Sequence, residues 1–203
     1  MTEKVTNRTL FHVTTTKPYK RAFTANQVVR IGDTYNPFFG FYEGAREYPV
    51  TDGDTGAIIQ VKAVAWLKRV QVGTIKTTPD MLAQLAVEVT QHYVMLCREL
   101  LMEEIRREEF NSEPPSRQHC LYACETLDEA RYWNQRIGDN GVICQLTCTG
   151  TAHRADARLL LADSEPLSVT KDRARQYWRG DVGQNSEMET LFVGDAKVAG
   201  FGL

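Results

Sequence analysis

Between Thr78 and the Pro114-Pro115 pair, the apolar residues Leu82, Leu85, Ala86, Val89, Tyr93, Leu96, Leu100 and Ile105 recur at three- and four-residue spacing, the period of one helical face. Pro79 suits a first helical turn, whereas Pro114 and Pro115 disfavour helix at themselves and at the residue before them. The spacing therefore predicts a helix over residues 79–110, about nine turns long. The charged block from Glu103 to Glu109 reads as its solvated end. A helix of that length, flanked on both sides by strand-like segments, points to an α+β architecture.

The flanking segments have shorter periods. Residues 8–14 are β-branched and aromatic and predict a buried first strand, followed by a second at 27–31. Residues 32–47 collect Gly, Pro, Asn and five aromatics and read as an ordered loop bordering a binding site. Residues 57–72 are apolar at too many positions for either period, so helix and strand fit alike, and a buried helix is the reading taken. Beyond the long helix, Cys120 to Cys124 predicts a short strand. Thr126-Leu-Asp-Glu129 has capping-box spacing and opens a helix to Ile137, which Gly138 to Gly141 ends as a turn. Residues 142–149 alternate as a strand, 168–178 suit a helix, and 188–193 with 197–201 predict a strand pair turning at Gly194-Asp195. The expected sheet is mostly antiparallel.

With 203 residues, 42% of them hydrophobic, the chain can bury one core, and it carries no repeat, low-complexity tract or linker. One domain over residues 1–203 is expected. A formal net charge of −2 excludes a strong global pull towards nucleic acid or an anionic membrane. The opening MTEKVTNRTLFHV lacks the apolar core of a secretory signal, and no apolar run reaches membrane-spanning length. A cytoplasmic location with reduced thiols is the expectation for the five cysteines.

Cys120, Cys124, Cys144 and Cys148 invite a zinc reading, but four strand positions separate the members of each pair by about 13 Å. Core packing is assigned to them instead, and no metal is expected. The cluster Lys17, Tyr19, Lys20, Arg21, Phe23 and Arg30 mixes cations with aromatics, as phosphate or single-stranded nucleic-acid sites do; a solvated loop is the reading preferred for it. His12 in the first strand and Tyr122 in the middle strand are each explicable as core residues with a polar handle. Glu187 and Glu189 are explicable as charges on an edge strand. Glu189, however, is followed at once by the apolar Thr-Leu-Phe-Val run, where a carboxylate needs a reason.

Leu-Phe-His-Val-Thr, then Leu-Tyr-Ala followed by Tyr-Trp after an eight-residue stretch, then Glu-Met-Glu-Thr-Leu-Phe-Val, occur in that order. Together they resemble the three motifs of the ADP-ribosyltransferase superfamily, over roughly residues 8–201, and in size the chain resembles the small stand-alone bacterial members. The tyrosine strand with its short helix resembles the histidine-tyrosine-glutamate branch. The Glu187/Glu189 pair resembles the paired-glutamate motif of arginine-modifying members. Val13, Cys120 and Leu121 stand where glycine is frequent in the superfamily.

The resemblance implies two small antiparallel sheets forming an NAD cleft, with NAD as co-substrate and no metal. It implies cofactor binding by His12, Val13, Thr14, Tyr122 and Tyr132. It further implies catalysis by Glu189 at the reacting ribose and by Glu187 towards the acceptor, the two sharing a strand face if period-two alternation holds. The activity implied is mono-ADP-ribosylation of a macromolecular acceptor, a protein side chain or nucleic acid, RNA included. Related stand-alone proteins act as toxins or defence effectors, so a neutralising antitoxin partner belongs to the same expectation. The rival expectations are a non-enzymatic NAD- or ADP-ribose-binding module and an NAD glycohydrolase.

Overall fold

A computed structural model describes residues 1–14, 23–53, 55–137, 141–160 and 165–202. The elements in order are β1 (Thr2–Thr14), β2 (Val28–Ile31), α1 (Pro37–Glu43), β3 (Glu47–Thr51), β4 (Ile58–Lys62), α2 (Ala63–Gln71), α3 (Pro79–Glu109), β5 (Leu121–Ala123), α4 (Leu127–Ile137), β6 (Val142–Asp156), α5 (Leu167–Arg179) and β7 (Met188–Phe201). The class is α+β, with two antiparallel sheets and the long helix predicted from the 79–110 periodicity. The expected turn at 138–140 and the cations Lys17, Lys20 and Arg21 with Tyr19 lie outside the described residues.

The chain divides into two compact units, Met1–Gly40 with Arg98–Leu203, and Phe41–Cys97. In the first, β1, β6, β7 and β2 lie side by side in that order, and β5 also pairs with β7. Alternation along β7 splits its side chains between two cores. Phe192, Ala196 and Val198 join Leu10, Leu146 and Cys148 among the strands, while Leu191 meets Met102 and Ile105 of α3 and Ala174, Tyr177 and Trp178 of α5. The helix α4 closes a third cluster with Ala130 against Ile143 and Phe11.

Its N-terminus is the capping box that the sequence spells. Thr126 Oγ1 accepts from the Glu129 backbone N–H at 3.2 Å, and Glu129 Oε2 accepts from the Thr126 N–H at 3.4 Å.

The second unit is the β3–β4 hairpin, α2 and the first part of α3. Its buried residues include Val61, Ala63, Trp66, Val89 and His92. Residues 57–72, read as one buried helix, are a strand followed by a helix. The apolar run is shared between the two because Ile58–Lys62 pairs with Glu47–Thr51, a pairing that local periodicity does not contain.

Three further expectations are corrected. Residues 32–47 are not all loop: Pro37–Glu43 is helical, with Pro37 at its first position and Asn36 Oδ1 accepting from Phe39 N–H at 2.8 Å. The predicted pair of strands at 188–193 and 197–201 is one continuous strand, β7. Gly194 does not turn the chain. It sits opposite Gly150 in register, where an added Cβ would lie 2.4 Å from the Thr149 carbonyl oxygen, so the glycine lets the backbones of two paired strands approach closely. The charged end of α3 is not simply solvated either, since Glu103 and Arg106 are buried. Arg106 turns back to donate to the carbonyls of Ser112 at 3.0 Å and Pro114 at 2.9 Å, capping the chain as it leaves the helix.

Candidate functional site

The backbone bridge between Phe11 and Cys124, with N–H···O distances of 2.8 and 2.7 Å, ties β1 to β5. One residue along on β1, His12 Nδ1 lies 2.7 Å from the Tyr122 carbonyl. A carbonyl only accepts, so Nδ1 carries the proton. Tyr122 in turn pairs with Leu191 of β7, two residues beyond Glu189. Antiparallel pairing thus brings together three residues from distant parts of the chain.

Their side chains are linked through Arg117, on the segment between α3 and β5. The Tyr122 hydroxyl donates to the Arg117 carbonyl at 2.9 Å, and the Arg117 guanidinium lies 5.1 Å from the centres of both the Tyr122 and Tyr177 rings. Arg117 Nη1 donates to Glu189 Oε1 and, at 2.7 Å, to the Tyr177 hydroxyl, which in turn donates a hydrogen bond to Glu189 Oε1 at 2.7 Å. Among the described residues Glu189 Oε2 accepts no hydrogen bond, and the side chain keeps 11% exposure.

Behind Arg117 stands Glu99 of α3, fully buried, accepting from Arg117 Nε at 3.0 Å and from Arg98 Nη2 at 2.6 Å. Burial alone would raise the Glu99 carboxyl, but Arg117 and Arg98 outweigh it and hold it below the usual carboxylate range. Two guanidiniums and two carboxylates therefore alternate through the interior with balanced charge, the condition under which buried ions persist. Burial pushes the phenols of Tyr122 and Tyr177 well above their ordinary range, so both act as hydroxyl donors.

The segment carrying Arg117 is held from outside the sheet. Asn36, buried before α1, donates its amide to the carbonyls of Arg117 at 2.6 Å and Cys120 at 3.1 Å. Phe38, in the aromatic segment expected to border the site, puts its ring edge to face with Tyr122 at 5.7 Å.

Glu187 occupies a second position. It precedes the first residue of β7, and its Oε1 accepts from Arg136 of α4 at 2.6 Å. The same Arg136 nitrogen donates to the Tyr132 hydroxyl at 2.8 Å. Asp156 anchors the polar loop before Glu187 by accepting from the backbone N–H groups of Gly183 at 3.2 Å and Glu187 at 2.9 Å. Glu187 and Glu189 share no hydrogen-bond partner among the described residues.

Val13 pairs with Ile143 and packs into the α4 cluster, and Thr14 ends β1 opposite Val142. Thus His12, Tyr122 and Glu189 belong to one linked group, while Tyr132 and Glu187 belong to another centred on Arg136.

Cys120, Cys124, Cys144 and Cys148 are buried free thiols in the three cores. Burial raises Cys124 and Cys148 to about 12 and Cys144 to about 11, which keeps them protonated and inert. No metal-binding group of His, Cys, Asp or Glu occurs among the described residues, and no described helix is long and apolar enough to cross a membrane.

Sequence reasoning missed Arg117, Tyr177 and Glu99. One signal for Glu99 is present: with Glu103 and Arg106 it repeats at helical spacing alongside Met102, a charged stripe on a face that also carries core residues.

Comparison with the curated proteins gives no match. The model of a family described as Protein of unknown function (DUF2441) matches residues 10–200, from the middle of β1 to the end of β7. With nearly its whole length matched, this chain belongs to the DUF2441 family.

Proposed function

We propose that this protein is an NAD-consuming mono-ADP-ribosyltransferase with an ADP-ribosyltransferase-like fold and Glu189 as its catalytic carboxylate. The observation that carries the reading is Glu189 itself: Oε1 is anchored by Arg117 and Tyr177, Oε2 accepts no hydrogen bond among the described residues, and the carboxylate is linked through Arg117 and Tyr122 to His12. Cleaving the nicotinamide C1′–N bond sends the electron pair to nicotinamide and leaves positive charge on the ribose. A fixed carboxylate in a mostly buried setting stabilises that charge without having to reorganise.

In this reading His12 and the backbone of Val13 and Thr14 hold the ribose side of NAD, Tyr122 packs beside the nicotinamide, and Tyr132 borders the site. The acceptor, a protein side chain or a nucleic acid such as RNA, bonds to C1′ and gives its proton to Glu187. The biological setting proposed is a cytoplasmic toxin or defence effector kept in check by a neutralising partner.

The burial of Glu189 in an ion network favours a second reading, a non-enzymatic NAD or ADP-ribose binder in which that carboxylate only holds the fold. Incubation with labelled NAD and cell extract separates the readings. A transferase releases nicotinamide and moves label to a macromolecule, and Glu189→Gln cuts both by about 10²-fold or more, to a small residual rate. Label found only in free ADP-ribose identifies an NAD glycohydrolase. Binding without nicotinamide release identifies the binder, and neither binding nor release removes the NAD reading altogether.

A further inference from the structure

We infer that Arg117, oriented by Glu99 and assisted by Tyr177, is the positioning residue that presents Oε2 of Glu189 to the ligand. This rests on the reading of Glu189 as the catalytic carboxylate.

A glutamate at the start of a strand has three rotatable side-chain bonds and two equivalent carboxylate oxygens, so burial alone does not choose which oxygen faces outwards. Two donors converging on one oxygen do choose. Arg117 Nη1 and the Tyr177 hydroxyl both end on Oε1 and also bond each other, closing a three-membered ring of hydrogen bonds. Oε2 is then the oxygen left to accept a ligand hydroxyl.

The guanidinium cannot swing away, because its Nε edge is taken by Glu99 at 3.0 Å and its central carbon lies 5.1 Å from the ring centres of both Tyr122 and Tyr177. Glu99 is itself pinned by Arg98, which also donates to the Leu160 carbonyl at 2.8 Å. A planar fork is needed for this arrangement. A lysine supplies the charge at a single point and cannot bond Glu99, Tyr177 and Glu189 in fixed directions together.

The test compares nicotinamide release from NAD by wild type, Arg117→Lys, Tyr177→Phe, Glu189→Gln and the double variant Arg117→Lys/Glu189→Gln, with NAD affinity measured by calorimetry on each. Tyr177→Phe is included because it keeps the ring packing on Trp178 and His153 even if Arg117→Lys folds poorly.

Positioning predicts that kcat falls by about 10-fold or more in Arg117→Lys and Tyr177→Phe while KM and NAD affinity stay within about 2-fold. It also predicts that the double variant is no slower than Glu189→Gln, since both changes act through one carboxylate. Wild-type turnover in both Arg117→Lys and Tyr177→Phe, with Glu189→Gln at its residual rate, overturns the positioning role and leaves the function standing. A double variant slower than Glu189→Gln by the full Arg117→Lys factor also overturns it. Absence of nicotinamide release from wild type, or full release by Glu189→Gln, instead overturns the function and the inference with it.

Discussion

His153 of β6 donates its Nε2–H to the Tyr177 carbonyl at 3.3 Å and accepts, at Nδ1, from the Thr2 hydroxyl at 2.9 Å. The carbonyl can only accept and the remaining ring nitrogen is then the acceptor, so both bonds are made by one neutral tautomer. This ring joins β1, β6 and α5 behind the residue whose hydroxyl holds Glu189.

Burial, reinforced by the nearby N-terminal amine and Arg117, pushes His153 down to about 4. The unfolded chain takes up a proton near its ordinary value of about 6.5, whereas the fold resists it until about pH 4. Between those values the unfolded state binds more protons, so stability falls as pH falls through that window and is fully present above it. We expect a loss of about 2 kcal/mol between pH 7 and pH 5 from this group. Urea unfolding of wild type and His153→Asn at the two pH values checks it: the variant is weaker at both, and its pH slope is shallower by that amount. Equal slopes refute the assignment.

Arg106 and Arg107 both bond Glu103, yet their side chains are 9% and 63% exposed. Removing the buried one takes two donors from the buried Glu103 carboxylate, leaving it only Arg107 and Ser116, and removes the donor to the Ser112 and Pro114 carbonyls, so Arg106→Ala should cost about 3 kcal/mol in chemical denaturation. Arg107→Ala should cost no more than about 0.5 kcal/mol, as exposed pairs do. Similar losses from the two variants would show that the turn after α3 does not depend on Arg106.

The close approach of β6 and β7 at Gly150 and Gly194 gives a third expectation. At Gly194, φ is +134° and an added Cβ would sit 2.4 Å from a backbone oxygen, which no rotamer change relieves. Gly194→Ala should therefore destabilise by about 3 kcal/mol or more. Gly200→Ala, on the same strand with nothing within 4 Å, should stay within about 1 kcal/mol of wild type. Thermal melting of both variants is sufficient, and a Gly194→Ala protein melting like wild type would mean the two backbones do not approach so closely there.

What the residues determined by themselves is what short-range physics controls. The span of α3 follows from apolar spacing and two prolines, and ends within a residue of the prediction. The start of α4 follows from Thr126 and Glu129, whose reciprocal bonds reach only three residues. The strand character around His12, Tyr122 and Glu189 followed from β-branched and aromatic content, so the candidate residues were legible although their linkage was not.

Tertiary structure decided everything that depends on which strands pair. Residues 57–72 became strand then helix because β3 was available as a partner, and Gly194 became a point of close backbone approach because Gly150 faces it. Arg117 and Glu189 lie 72 residues apart, and nothing local distinguishes Arg117 from a solvated residue after a proline pair. Its role arises only when pairing of β5 with β7 and the packing of α3 and α5 behind them enclose it between two carboxylates. A buried charge is stable only where its counter-charges converge, and that convergence is a property of the folded chain.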